Sequence, residues 1–200
     1  MKSLKLKNIN YLSRLIGEFI MPFLIIKYLK KINFFYDIKH IDGIVSYSPS
    51  IFFLFVIRYL KSKYNCKNYL ILRDIFPDWV SHLNIIKFKP FIWFLKIFAK
   101  WQYDISNYIA LQSINDQKYF KKKYNKETLL LYNWKRNKKI KKNSLKINKN
   151  FFNYVYIGNV GPAQDLDNII KLAAYYQKKN LCVRFYFYSR GFFFKSLQKK

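Results

Sequence analysis

Two short stretches of this 200-residue chain bring together residue types able to do chemistry. Gly158-Asn159-Val160-Gly161 follows an apolar run and precedes a helical pattern. A strand-to-helix turn points free backbone N–H groups at an anion, and two glycines in four residues let a diphosphate approach the main chain. The same residues also make a plain connecting turn, and GxxG alone does not choose between the two. The loop lacks the Lys and Ser/Thr of a nucleotide-hydrolase P-loop and the GxGxxG spacing of a dinucleotide site. Arg73-Asp74 is the second stretch, just past the apolar residues 68–72. A charged pair there either faces a cleft or closes on itself as an ion pair holding the Pro77-Asp78-Trp79 turn.

The remaining reactive side chains are scattered. Cys66 and Cys182 form no CxxC and have no histidine nearby to complete a zinc set, and two lone cysteines fit a reducing cytosol. His40 and His82 are isolated and read as ordinary surface or core histidines. No metal or other cofactor is expected. The net charge of +28 has two sources to weigh. A basic surface attracts phosphates, as nucleic acid, nucleotide sugars or anionic lipid. Abundant Lys, Asn, Ile, Phe and Tyr with scarce Gly is also the usage of AT-rich codons, which accounts for the bulk of the charge. Hydrophobic residues at 52% exclude a disordered tail.

The elements that must hold these residues alternate along the chain. Residues 8–31 read as a helix that Pro22 breaks or kinks. Residues 43–47 read as a buried strand, with Ser48 as N-cap and Pro49 at the first position of the next helix. Strands follow at 68–72, 108–111 and 128–132. A helix at 90–104 has Trp93, Phe94, Ile97 and Trp101 on one face, read as core. A short helix at 115–123 is capped by Ser113 or Asn115. Near-continuous apolar strands suit a parallel sheet buried on both faces. Residues 135–150 are basic and without apolar periodicity, which reads as a solvated linker. The pattern then restarts with a strand at 152–157, a helix at 164–178 with Leu166, Ile169, Ile170, Ala173 and Ala174 inward, and a strand at 181–188. Ligands of open parallel sheets gather at the carboxyl ends of the strands. Those ends carry Ser48, Arg73-Asp74, Gln112-Ser113, Asn133-Trp134 and the Gly158 loop. No apolar stretch reaches the ~20 residues of a bilayer span, and the basic amino terminus lacks the cleavage site of a signal peptide. Apolar residues 19–26 beside Lys27, Lys30 and Lys31 suit an anionic interface, or a helix packed on the sheet.

In order, SYSPSIF, LRDIFPDW, WQYDISNYIALQS, LYNW and YIGNVGPAQDLDNIIKLA resemble the family-4 glycosyltransferases of the GT-B fold, over roughly residues 10–190. The similar branch builds O-antigen, capsule and related bacterial surface polysaccharides. The resemblance implies an α/β chain with two Rossmann-like parts. Residues 1–134 would be an acceptor-side domain lacking its first strand. Residues 135–150 would be the linker, and 151–200 the first β-α-β of a donor domain. It implies a cleft between them, retaining transfer of a sugar from a nucleotide-sugar donor to a lipid-linked acceptor, and no metal. Arg73 and Asp74 would line the acceptor side, with Asn133 and Trp134 at the junction and Gly158, Asn159, Gly161 and Gln164 under the donor diphosphate. Ser189-Arg190-Gly191 stands where the family often has Gly-Asp-Gly. The family's two donor-side glutamates would lie beyond Lys200, so the resemblance is to a fragment truncated at both ends, itself inactive. The expected location is cytoplasmic, peripheral on the inner face of the cytoplasmic membrane. A basic nucleic-acid-binding protein and an inactive remnant are the alternatives; nucleic acid is not the expected partner.

Overall fold

Apolar spacing and a few local stop signals decide where the elements fall. The computed structural model describes residues 11–32, 34–48, 50–82, 86–134, 148, 150–160, 164 and 166–190. The chain divides into two compact units, residues 1–136 and 137–200.

In the first unit, α1 (Tyr11–Lys31) runs unbroken through Pro22. It is followed by α2 (Phe34–Asp37) and β1 (Gly43–Tyr47). A 3₁₀ turn at Ile51–Phe53 leads into α3 (Leu54–Tyr64), and β2 (Lys67–Leu72) follows. Then come α4 (Asp78–His82), α5 (Lys89–Ile105), β3 (Tyr108–Leu111), α6 (Ile114–Tyr124) and β4 (Leu129–Leu130). Asn65 and Asn125, both left-handed, end α3 and α6 and donate their backbone N–H to the Lys61 and Lys121 carbonyls at 2.8 and 2.9 Å. Asparagine tolerates this conformation better than most residues, which makes it a natural helix stop where glycine is scarce.

The four strands are parallel and lie in the order β1-β2-β3-β4, the α/β arrangement that the alternation predicts and one compatible with a Rossmann-like fold. Spatial order equal to chain order has a consequence. Right-handed crossovers between successive neighbours all fall on one side of the sheet. That side carries Leu70, Leu72, Ile109 and Leu111, which share one core with Leu54 of α3, Leu95, Phe98, Ala99 and Tyr103 of α5, and Phe120 of α6. On the other side Val45, Tyr47, Tyr108 and Leu129 are exposed, Val45 to 72%. The expectation of strands buried on both faces is therefore met only in part: Ala110 of β3 is buried on this second side, and Tyr69 and Ile71 of β2 are half-buried there, but β1 and β4 are open. Between β1, β2 and the end of α5 a buried polar cluster ties the layers together. Asn68 accepts from the Ser46 hydroxyl at 3.0 Å and donates to Ser106 at 2.9 Å.

Two expected features change for visible reasons. β4 is two residues rather than the predicted 128–132, because its partner β3 ends at Leu111 and the chain there turns into α6. The face of α5 assigned to the core is the outward one. Ile92, Leu95, Phe98, Ala99, Gln102 and Tyr103 are buried, while Trp93 is 67% and Trp101 48% exposed. α5 is apolar or aromatic around most of its circumference, so periodicity fits either choice.

The second unit contains β5 (Phe152–Asn159), α7 (Leu166–Lys178) and β6 (Val183–Arg190). β5 and β6 pair in parallel from Phe152 opposite Val183 to Asn159 opposite Arg190. Both run two residues past the predicted ends. Leu166 is buried, but Ala174, expected to point inward, is exposed.

Candidate functional site

The carboxyl edge of the first sheet is built around Arg73 and Asp74. Both are exposed. Arg73 Nη1 donates to the Tyr47 hydroxyl at 3.3 Å, and this bond is the first cause of its raised pKa. No ion pair joins Arg73 to Asp74 among the described residues; the self-closing pair weighed from the sequence does not form. Asp74 is instead held through its main chain, whose carbonyl accepts from the Ser48 hydroxyl at 3.2 Å and from the Phe76 N–H at 2.8 Å. Ser48 is fully buried and is thereby taken from its expected role as a helix cap; its N–H continues the ladder to the Ile71 carbonyl at 3.0 Å.

What fixes the following turn is a group that the sequence reading passed over. Phe76-Pro77 is a cis peptide. Asp78, with a side chain 3% exposed, then reaches α6. Its Oδ1 pairs with Lys123 Nζ at 2.7 Å, and its Oδ2 accepts from the Tyr124 and Tyr119 hydroxyls at 2.9 and 3.1 Å. Burial opposes the Lys123 charge, but the bonds to Asp78 and Tyr119 outweigh it and raise its pKa. Burial raises the Tyr124 pKa, with neighbouring Tyr103 and Asp78 adding to it. Tyr103 donates to the Phe76 carbonyl at 3.2 Å, and burial likewise raises its pKa. A charged, hydrogen-bonded anchor of this kind holds the Arg73–Pro77 backbone in one conformation. The signal for it was an acidic residue after Pro77 and the spacing Tyr119-Lys123-Tyr124, which puts all three on adjoining turns of one helix.

Further along this edge, the Gln112 amide nitrogen is buried without a partner among the described atoms. Ser113 caps α6, accepting from the Asp116 N–H at 3.1 Å. Asn133 and Trp134 are exposed beyond β4.

In the second unit, Gly158 and Asn159 are the last residues of β5, beside Ser189 and Arg190, not part of the loop. Val160 is buried, Gln164 is exposed just before α7, and Gly161 lies outside the described residues. A Cβ added at Gly158 would stand 2.9 Å from the Tyr156 hydroxyl and 3.1 Å from its ring. That hydroxyl donates to the Asn159 carbonyl at 2.8 Å. The absent side chain thus makes room for Tyr156 along the strand end. The Ser189 hydroxyl next to it is buried and has no partner among the described atoms.

Among the described residues, no group of three or more His, Cys, Asp or Glu could hold a metal ion, and no helix is long and apolar enough to cross a membrane. No family model and no curated protein matches this chain.

Proposed function

We propose that this chain belongs to a sugar-nucleotide-dependent glycosyltransferase of the GT-B type, acting in the assembly of a bacterial surface polysaccharide. The observation that carries the reading is the placement of its two most distinctive motifs. The Arg73-Asp74 stretch and the Gly158-Asn159 stretch each stand at the carboxyl end of a parallel strand, in separate α/β units. Carboxyl ends of parallel strands are where such sheets bind ligands. In this reading the exposed guanidinium of Arg73 and carboxylate of Asp74, on their anchored turn, orient a saccharide acceptor. Backbone N–H groups at the carboxyl end of β5 and the start of α7 receive the donor diphosphate, with Gln164 beside them. Transfer needs the leaving diphosphate's charge stabilised by groups already in place, and backbone donors at a helix start supply part of that. Asn133 contributes to donor binding, and the acceptor is a lipid-linked saccharide. The place of action is the cytoplasmic face of the membrane.

The test is calorimetric titration of the full chain with nucleoside diphosphates and, separately, with random-sequence duplex DNA across a salt series. A nucleoside diphosphate should bind with one-to-one stoichiometry and persist as salt rises. Binding to DNA that collapses steeply with salt, without saturable nucleotide binding, would mean that the charge serves nucleic acid instead.

A further inference from the structure

Tyr156 stands where the Gly158 strand end should be open. Side chains alternate along a strand, so Tyr154, Tyr156 and Gly158 share one face of the two-stranded sheet. The register with β6 sets Phe185, Phe187 and Ser189 beside them. The ring contacts follow that order: Tyr154 stacks on Phe185 at a centroid distance of 5.1 Å, and Tyr156 meets Phe187 at 6.0 Å. Tyr176 of α7 packs on Phe185 at 6.2 Å, so this is the face that α7 covers. Tyr156 therefore lies on the helix side of the sheet, close to its carboxyl end.

One bond holds the ring there. The Tyr156 hydroxyl donates to the Asn159 carbonyl at 2.8 Å and stands 2.9 Å from where a Gly158 Cβ would be. Tyr156 thus fills the room that the glycine leaves. Opposite Gly158 in the register, the Ser189 hydroxyl is buried with no partner among the described atoms. A buried hydroxyl without a partner is uncommon and destabilising, and calls for an acceptor. The bond that holds Tyr156 is made at an exposed strand end, where a hydrogen bond contributes little net stability and side-chain rotamers exchange quickly. The ring is a cover that little free energy removes.

We propose that Tyr156 gates the diphosphate subsite. Its ring rotates away from Gly158 and gives up the Asn159 carbonyl; a diphosphate takes its place, and the Ser189 hydroxyl donates to a phosphate oxygen. This inference rests on the donor reading given above and adds to it a closed form that the ligand must open. The affinity measured is then that of the open form reduced by the fraction of molecules that are open. Loosening the hold on the ring tightens binding. A tyrosine that gripped the ligand would do the opposite, and one that only packed the strand would do neither.

Calorimetric titration of the full chain with uridine diphosphate, and in turn with guanosine diphosphate, at one fixed salt concentration tests it, with urea denaturation of each variant. Tyr156→Phe keeps the ring but removes the hydroxyl bond; it should tighten binding roughly two- to tenfold while leaving the chain no more stable. Ser189→Ala should weaken binding roughly threefold or more while leaving the chain at least as stable, because no bond is lost with the hydroxyl. Tyr188→Phe, on the opposite face of β6, should change neither. Nucleotide binding seen in Tyr156→Phe alone would support the gate as well. Unchanged or weaker binding by Tyr156→Phe, or unchanged binding by Ser189→Ala, with the wild type binding normally, would overturn the proposal and leave the donor reading standing. No saturable binding by the wild type or by Tyr156→Phe would overturn both.

Discussion

Replacing Lys123→Met would strip the buried Asp78 carboxylate of its cation while keeping most of the volume. The structure sets the size of the effect. Removing one partner of a fully buried ion pair costs about 3–5 kcal/mol, because the other charge stays behind uncompensated. Here Asp78 keeps two tyrosine donors, at 2.9 and 3.1 Å, and the Lys123 side chain is 33% exposed, so water already screens it. Both facts place the loss at or just below the lower end, about 2–3 kcal/mol. For a domain of this size that lowers the melting temperature by about 10 °C, at about 4 °C per kcal/mol. Urea denaturation followed by circular dichroism reads the loss directly. Adding Asp78→Asn should then restore part of it, since a neutral amide needs no cation; the double variant should be more stable than Lys123→Met alone. The pH dependence has a definite sign. Folding raises the Lys123 pKa above 10.5, so its contribution is full below pH 10.5 and fades as pH climbs through the higher folded value. The gap between wild type and Lys123→Met should be level at neutral pH and close only above that point. A variant within about 0.5 kcal/mol of wild type, or a double variant less stable than the single one, would refute the claim that this pair anchors the turn.

Other expectations follow from single contacts. Ser113→Ala removes the only side-chain cap seen on α6 among the described residues and should cost about 1 kcal/mol by denaturant titration with the slope unchanged. Gly158→Ala drives a methyl against the Tyr156 hydroxyl, which should cost about 1–3 kcal/mol, and adding Tyr156→Phe should recover part by removing the nearest atom. Burial opposes ionisation of Asp104, but hydrogen bonds from Lys100 and Lys126 outweigh it and hold its pKa below 3.8. Its share of stability is therefore present above pH 3.8 and lost as pH falls through the lower folded value. Carboxyl-carbon NMR should show this midpoint, and Lys126→Ala should move it upward.

The fold of the first unit was largely legible, because its signals are local. Strands at 43–47 and 108–111 have the bounds that apolar runs and flanking polar residues predict. The cap at Ser113 was one of two candidates. What could not be read depends on long-range partners. Ser48 has the type and place of a helix cap, yet the Asp74 carbonyl, 26 residues on, claims its hydroxyl. Trp93 and Trp101 could face inward or outward because α5 offers an apolar surface on either side, and only packing against β2 and β3 chooses. The Asp78 anchor joins residues 41 to 46 positions apart, a separation at which sequence shows residue types but not contacts. At Gly158 the sequence suggested room for a diphosphate; the strand extension and the Tyr156 ring supply a packing reason for the same glycine.

The central claim is that the Gly158 strand end binds a nucleoside diphosphate, and amide NMR of the isotopically labelled full chain during titration with one tests it most directly. The account predicts saturable shifts concentrated at Gly158, Asn159, Val160 and the first turn of α7, reduced when Gly158 is replaced by alanine. Shifts spread over the lysine-rich surface of the first unit, fading with salt and unaffected at Gly158, would contradict it.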